Sequence, residues 1–232
     1  MATKEDFDNL HNMVRRYVVK IRSSGAIRGR GWSAVTPGIV FLKEDSFCYI
    51  VAHANTFSHG HDCDPQPRYE VVFPDSNRTT IEFQKADVQF CRCIATFLIV
   101  NVHLENDMVQ AVPFSSFGLE AEEVVYTLCL DPSETTIPKP SYLSPGLINV
   151  VGGRYFTQDC RPENFTSWGS PVFDDEGHLV GICFAQCSVL LALDVLGISL
   201  VLNELHGTSQ KPIHDILDYI KVKAHKLMIN LS

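Results

Sequence analysis

Imidazoles and a thiol crowd one stretch of this chain, where His53 is followed by His59-Gly-His61-Asp-Cys63. Both groups bind zinc well. No second Cys/His pair lies at finger-like spacing, and Pro65 and Pro67 make the stretch read as a polar hairpin tip. Neither a metal nor a cofactor is therefore expected. The same residue types support a second chemistry. His53 offers a group that titrates near neutral pH. Ser167 and Ser170 place hydroxyls on either side of Trp168, and Cys93 carries a thiol. An imidazole beside a hydroxyl or thiol can activate a nucleophile. These residues are far apart in the chain, so only a fold can bring them together.

The elements that must do so are mostly strands. Short apolar runs broken by Gly, Pro, Asn and Asp dominate, as in PDSN at 74–77 and DDEG at 174–177. The pattern predicts strands at Tyr17–Ile21, Gly31–Thr36, Gly38–Leu42, Phe47–Ala52, Arg68–Phe73, Thr79–Phe83 and Ile94–Val100. A second set falls at Glu123–Cys129, Gly146–Gly152, Tyr155–Gln158, Pro171–Phe173, Leu179–Ala185 and Gly197–Leu202. The longest apolar run, Ser188 to Val201, reads as core strands. A helix is expected over Lys4–Val14, where Phe7, Leu10 and Val14 share a face. Another closes the chain over 211–228, with Pro212 near its start and an apolar stripe of Ile213, Ile216, Leu217 and Ile220. The polar stretch Asn101–Gln110 is a natural joint between halves. Pattern alone leaves sandwich and barrel open.

Composition narrows the class of function. With 45% apolar and 20% charged residues among 232, the chain matches an ordinary globular protein. A net charge of −8 argues against general nucleic-acid binding. The early basic group Arg15, Arg16, Lys20, Arg22, Arg28 and Arg30 reads as a solvated face. No run has the length of a membrane span, and the polar start MATKEDFDNLHNMVRRY lacks a signal-like apolar core. An intracellular location, cytoplasmic or nuclear, is expected. The eight cysteines, at 48, 63, 91, 93, 129, 160, 183 and 187, then read as reduced core residues. The sequons at Asn77 and Asn164 read as coincidence.

Three segments, in order, resemble a trypsin-like serine protease of the HtrA/Deg type. The first, GRGWSAVTPGIVFLKEDSFCYIVAHANTF, resembles a glycine-flanked strand, a hairpin, and a strand ending in Ala-His. The second, YEVVFPDSNRTTIEFQKADVQFCRCIATFLIV, resembles the stretch in which an Asp opens an Ile-Ala-hydrophobic-Leu strand. The third, QDCRPENFTSWGSPVFDDEGHLVGICFA, resembles Gly-Asn-Ser-Gly-Gly-Pro followed by a turn and a Val-Gly-Ile strand. GLEAEEVVYTLCLDP resembles the opening of a second barrel, and GISLVL at 197–202 the strand lining the specificity pocket. The matches run from Tyr17 to Tyr219.

The resemblance implies two six-stranded antiparallel β-barrels, over 17–103 and 108–205, between a helical segment at 1–16 and the closing helix. It implies no trailing peptide-binding (PDZ) domain. It places His53 at the general base, Cys93 at the orienting carboxylate and Trp168 at the nucleophile. Gly169 and Ser170 fall on the two glycines that follow, and Thr166 on the leading glycine. A thiol does not hold an imidazolium as a buried carboxylate does, and Trp has no nucleophilic oxygen. Thr166 suits the oxyanion turn poorly. Asp87 reads as an exposed turn acid rather than a substitute.

These losses, which resemble those of degenerate plant Deg-like sequences, imply a pseudoprotease that binds a peptide or protein in the old cleft. The expected cleft residues are Trp168, Gly169, Ser170, Gly197, Ile198 and Ser199, with an open strand edge around Gly197–Val201. Trp168 is expected mainly to plug the vacated pocket, or else to anchor the partner. One alternative is a residual endopeptidase pairing His53 with Ser167, which needs a one-residue bulge. Ser170 would face away past the turn, and Cys93 would point at the wrong ring nitrogen. The other alternative is a homo-oligomeric scaffold assembled through the Phe7/Leu10/Val14 face.

Overall fold

The computed structural model describes residues 3–27, 30–44, 47–53, 68–73, 80–83, 88–92, 96–103, 109–130, 141–160, 168–186 and 189–229. Among them no helix is long and apolar enough to cross a membrane. Helix α1 (Lys4–Val14) starts at a capping box. The Thr3 hydroxyl accepts from the Asp6 N–H at 3.2 Å, and the Asp6 carboxylate accepts from the Thr3 N–H at 2.8 Å. Leu10 and Val14 are buried, and Phe7 packs on the core with its ring against Tyr126. This face points inward, so it is not the exposed oligomerisation surface that the scaffold alternative needs.

The first β unit is a seven-stranded antiparallel sheet. Its strands are β1 (Val18–Ile27), β2 (Arg30–Glu44), β3 (Phe47–His53), β4 (Arg68–Val72), β5 (Thr80–Phe83), β6 (Val88–Arg92) and β7 (Thr96–His103). The order is β5-β4-β1-β2-β3-β7-β6. Closure into a six-stranded barrel was expected, but the outermost strands β5 and β6 do not pair among the described residues. The short strand β6 was not anticipated. The two strands predicted around Pro37 form one, β2. Pairing of β2 with β3 reaches only Gly38, so Pro37 faces a neighbour in β1 alone, where its missing N–H is tolerated.

The second unit is a closed six-stranded barrel, as expected. It comprises β8 (Val124–Cys129), β9 (Tyr142–Val151), β10 (Tyr155–Gln158), β11 (Pro171–Phe173), β12 (Leu179–Gln186) and β13 (Leu190–Asp194). Strand β13 fills the place expected of Gly197–Leu202. That segment lies instead in helix α2 (Val195–His206). The Asp194 side chain caps it, accepting from the Gly197 N–H at 2.6 Å. Ile198, Val201 and Leu202 are buried at helical spacing. A continuous apolar run fits strand or helix equally well, and here the cap and the packing decide for helix. The predicted open strand edge at Gly197–Val201 therefore does not exist.

Helix α3 (Ile213–Ile229) closes the chain as expected, burying Ile213, Ile216, Leu217 and Ile220. One buried side chain ties its approach to α2. The Asn203 carboxamide donates to the carbonyls of Ser199 and Lys211, each at 2.8 Å. Its oxygen accepts from Lys211 N–H at 2.9 Å and from the Thr208 hydroxyl at 2.7 Å. The Ser199 hydroxyl also donates to the Lys211 carbonyl, at 2.6 Å. Removing a buried partner strands the groups it satisfied, at a cost of about 1–3 kcal/mol. Asn203→Leu is accordingly expected to lower stability in urea by roughly 2 kcal/mol. An unchanged midpoint would mean that water satisfies the connector as well as Asn203 does.

Candidate functional site

His53 is the last residue of β3, paired with Phe97 on β7 and only 5% exposed. Its carrier strand is buried throughout, because β3 lies inside the sheet between β2 and β7. Burial pushes its pKa down to about 4. At neutral pH the ring is uncharged and a weak base, far from the pKa that suits a general base at that pH.

The barrel brings its own turn to this point. Trp168 and Gly169 form the turn that leads into β11, and Gly169 has φ +79°, a left-handed conformation that favours glycine. A Cβ on Gly169 would lie 2.9 Å from the His53 Cβ and 3.0 Å from Thr36 Oγ1. Only a residue without a side chain lets the barrel turn approach the sheet this closely. The Trp168 ring stands edge-to-face against His53, with centroids 5.1 Å apart and planes at 72°. The Thr36 hydroxyl donates to the Trp168 carbonyl at 3.3 Å. Trp168 stays 37% exposed, so it covers His53 on one side and meets solvent on the other.

Backbone groups of the described part of the turn are engaged within the barrel. The Gly169 N–H donates to the Cys183 carbonyl at 2.8 Å, and the Cys183 N–H to the Ser170 carbonyl at 2.9 Å. These two bonds tie the turn to β12. Ser170 is fully buried in the barrel beside Cys129, whose thiol is pushed up to about 12 by burial, the nearby Cys160 adding and a bond from Ser170 opposing. A hydroxyl enclosed in this way does not meet a substrate carbonyl.

The structure thus unites His53, Trp168 and Gly169, with Ser170 immediately behind them in the barrel core. Gly197, Ile198 and Ser199 lie elsewhere, buried in the first turns of α2. Cys93, Asp87, Thr166, Ser167 and the His59/His61/Cys63 loop fall outside the described residues. Among those described, no group of His, Cys, Asp and Glu is arranged to hold a metal. Sequence reading missed Thr36 and the Cys183 carbonyl. Neither carries a sequence signal, since one is a buried strand Thr and the other a backbone oxygen.

A closed barrel and a partner sheet thus meet at a buried histidine and a glycine turn. Among solved structures, the crystal structure of Deg5 matches with a TM-score of 0.62 and 15% identity, covering 89% of this chain and 97% of that one. No family model matches the sequence, and no curated protein does either.

The state of His53 makes the site measurable. Its pKa falls from the ordinary 6.5 to about 4 on folding, so the unfolded chain binds more protons between those values. The stability from the neutral ring is complete above about pH 6.5 and is lost as pH falls through 4. The loss amounts to roughly 3 kcal/mol at most. Urea denaturation across pH 7 to 4 is expected to show a decline that is shallower in His53→Leu by up to that amount. His11 and His206, both also lowered by burial, are present in both proteins and cancel in the difference. Parallel profiles would mean that folding does not shift the His53 pKa.

Proposed function

We propose that this chain is a trypsin-like protein of the HtrA/Deg type that does not cut peptide bonds. It holds a peptide or protein segment at the junction of sheet and barrel, with Trp168 as the anchor. The observation that carries this reading is the Trp168 ring packed on His53, where catalysis would need a hydroxyl. A nucleophile must reach both the imidazole and the substrate carbonyl, and an indole does neither.

The electrostatics of the site point the same way. His53 is kept neutral by burial and Ser170 is enclosed. Among the described residues of the junction, the Trp168 ring keeps an accessible aromatic surface. Half-buried tryptophans are effective anchors because they desolvate a large area while losing little conformational freedom. Thr36 and the Gly169 turn fix the backbone under the ring, so the anchor is preorganised. The fold likeness to Deg5 supports the HtrA-type assignment, and the inactivity and binding role rest on the residues themselves.

Two experiments test the two halves. Folded protein treated with a fluorophosphonate probe is expected to give no adduct by intact mass. A covalent adduct abolished by Ser167→Ala or Ser170→Ala would overturn the loss of chemistry and name the nucleophile. For binding, the wild-type protein is applied to an array of random nonamer peptides. A set of peptides is expected to bind wild type and to lose at least about tenfold in affinity with Trp168→Ala, checked to be folded. Equal binding of every peptide by both proteins would remove Trp168 as the anchor.

A further inference from the structure

A second concave surface lies away from Trp168 and His53, neither of which lines it. It is a groove of about 750 Å³ between the 115–119 segment, the turn from β9 to β10, the start of α2 and the 210–213 connector. This volume is in the range of ligand-binding pockets, roughly 300–1,000 Å³. Its apolar lining includes Phe117, 78% exposed, Leu196, 59% exposed, and Val151, 39% exposed. Large side chains left open together on one concave wall mark an interaction site, whereas single exposed ones do not.

The walls are built, not loose. The buried Asn203 and Ser199 side chains fix the connector at Lys211 through the hydrogen bonds described above. Gly197 seats α2 directly on the β9–β10 turn, since a Cβ there would lie 2.5 Å from the Arg154 carbonyl. The groove therefore exists before any occupant arrives, which lowers the cost of ordering on binding.

Charge selects the occupant. The chain as a whole carries −8, yet the charged residues lining the groove are Arg154, Lys211 and Asp194. Asp194 is half-buried and already accepts the Gly197 N–H at 2.6 Å. Asp194 also interacts with the Arg154 charge, so two cations and one partly compensated carboxylate leave the apolar trough with a net positive lining. We propose that this groove docks a peptide segment that sets a bulky apolar side chain beside an acidic one. The apolar side chain lies among Phe117, Leu196 and Val151, and the carboxylate meets Arg154 and Lys211. Complementary charge of this kind sets specificity and rate of encounter more than raw affinity. This docking is separate from the junction site and does not depend on it.

The same random nonamer array separates the two. It is probed with wild type, Trp168→Ala, Leu196→Asp and the double variant Arg154→Glu/Lys211→Glu, each confirmed folded by its thermal transition. The expected result is a set of peptides combining Leu, Phe or Trp with Asp or Glu, bound equally by wild type and Trp168→Ala. That set should lose at least about tenfold with Leu196→Asp and with the double variant, and the double variant should favour Lys- or Arg-bearing peptides instead. Failure to find any such set, or a set that the double variant binds as well as wild type, overturns the proposal. So does a wild-type dimer in sedimentation that Leu196→Asp dissolves, since a second copy would then occupy the groove. Failure of the junction site would appear only as insensitivity to Trp168→Ala, so the two outcomes are distinguishable.

Discussion

Everything in this molecule depends on one shared apolar core between the sheet and the barrel. Phe41 and Tyr49 from the sheet, Leu128, Phe173 and Leu193 from the barrel, and Ile216 from α3 belong to a single buried cluster. Val14 of α1 and Ile198 of α2 join it. The two β units each have a second, private cluster as well. The private clusters make each unit a sheet or barrel, and the common one fixes where each lies against the other. Apolar burial is non-directional, so this fixing relies on close packing and on a few points where backbones touch.

Gly169 is one such point. Its left-handed turn and missing side chain let the barrel approach within contact distance of β3 and Thr36. A histidine buried at a strand end and a tryptophan on a turn become neighbours as a result. The same approach explains their electrostatic character. Close packing removes water from the imidazole, which lowers its proton affinity and leaves the ring neutral. In a serine-protease triad a buried carboxylate opposes that effect by stabilising the imidazolium. Position 93, where the resemblance seeks that carboxylate, is a cysteine.

Much of the fold is legible in the sequence. The strand runs ending in His53, the β11–β12 hairpin around DDEG, and the amphipathic helices at either end all carry periodicity that the structure repeats. The failures have a common origin. Gly197–Leu202 reads as a strand in the sequence because an apolar run has no polar face to reveal its period, and the deciding cap at Asp194 is a single residue. Pro37 was read as a break because the sequence does not say how far β3 extends. Strand β6 is short, and its pattern VQFCR is too brief to separate from a loop.

The sequence by itself determined which residue types stand at the positions the resemblance points to. An indole at 168 in the SWGSP turn and a thiol at 93 are facts of residue type, and no fold supplies a nucleophilic oxygen to tryptophan. It also determined that position 169 is free to adopt positive φ, because it is glycine. Tertiary structure alone decided that His53 is neutral, that Ser170 is enclosed, and that Trp168 keeps one face to solvent. Solvent exposure and proton affinity depend on what packs against a group, and those neighbours come from distant parts of the chain. The α2 groove belongs to the same category. Its walls come from five separated segments, and no local pattern in any of them announces a concave surface.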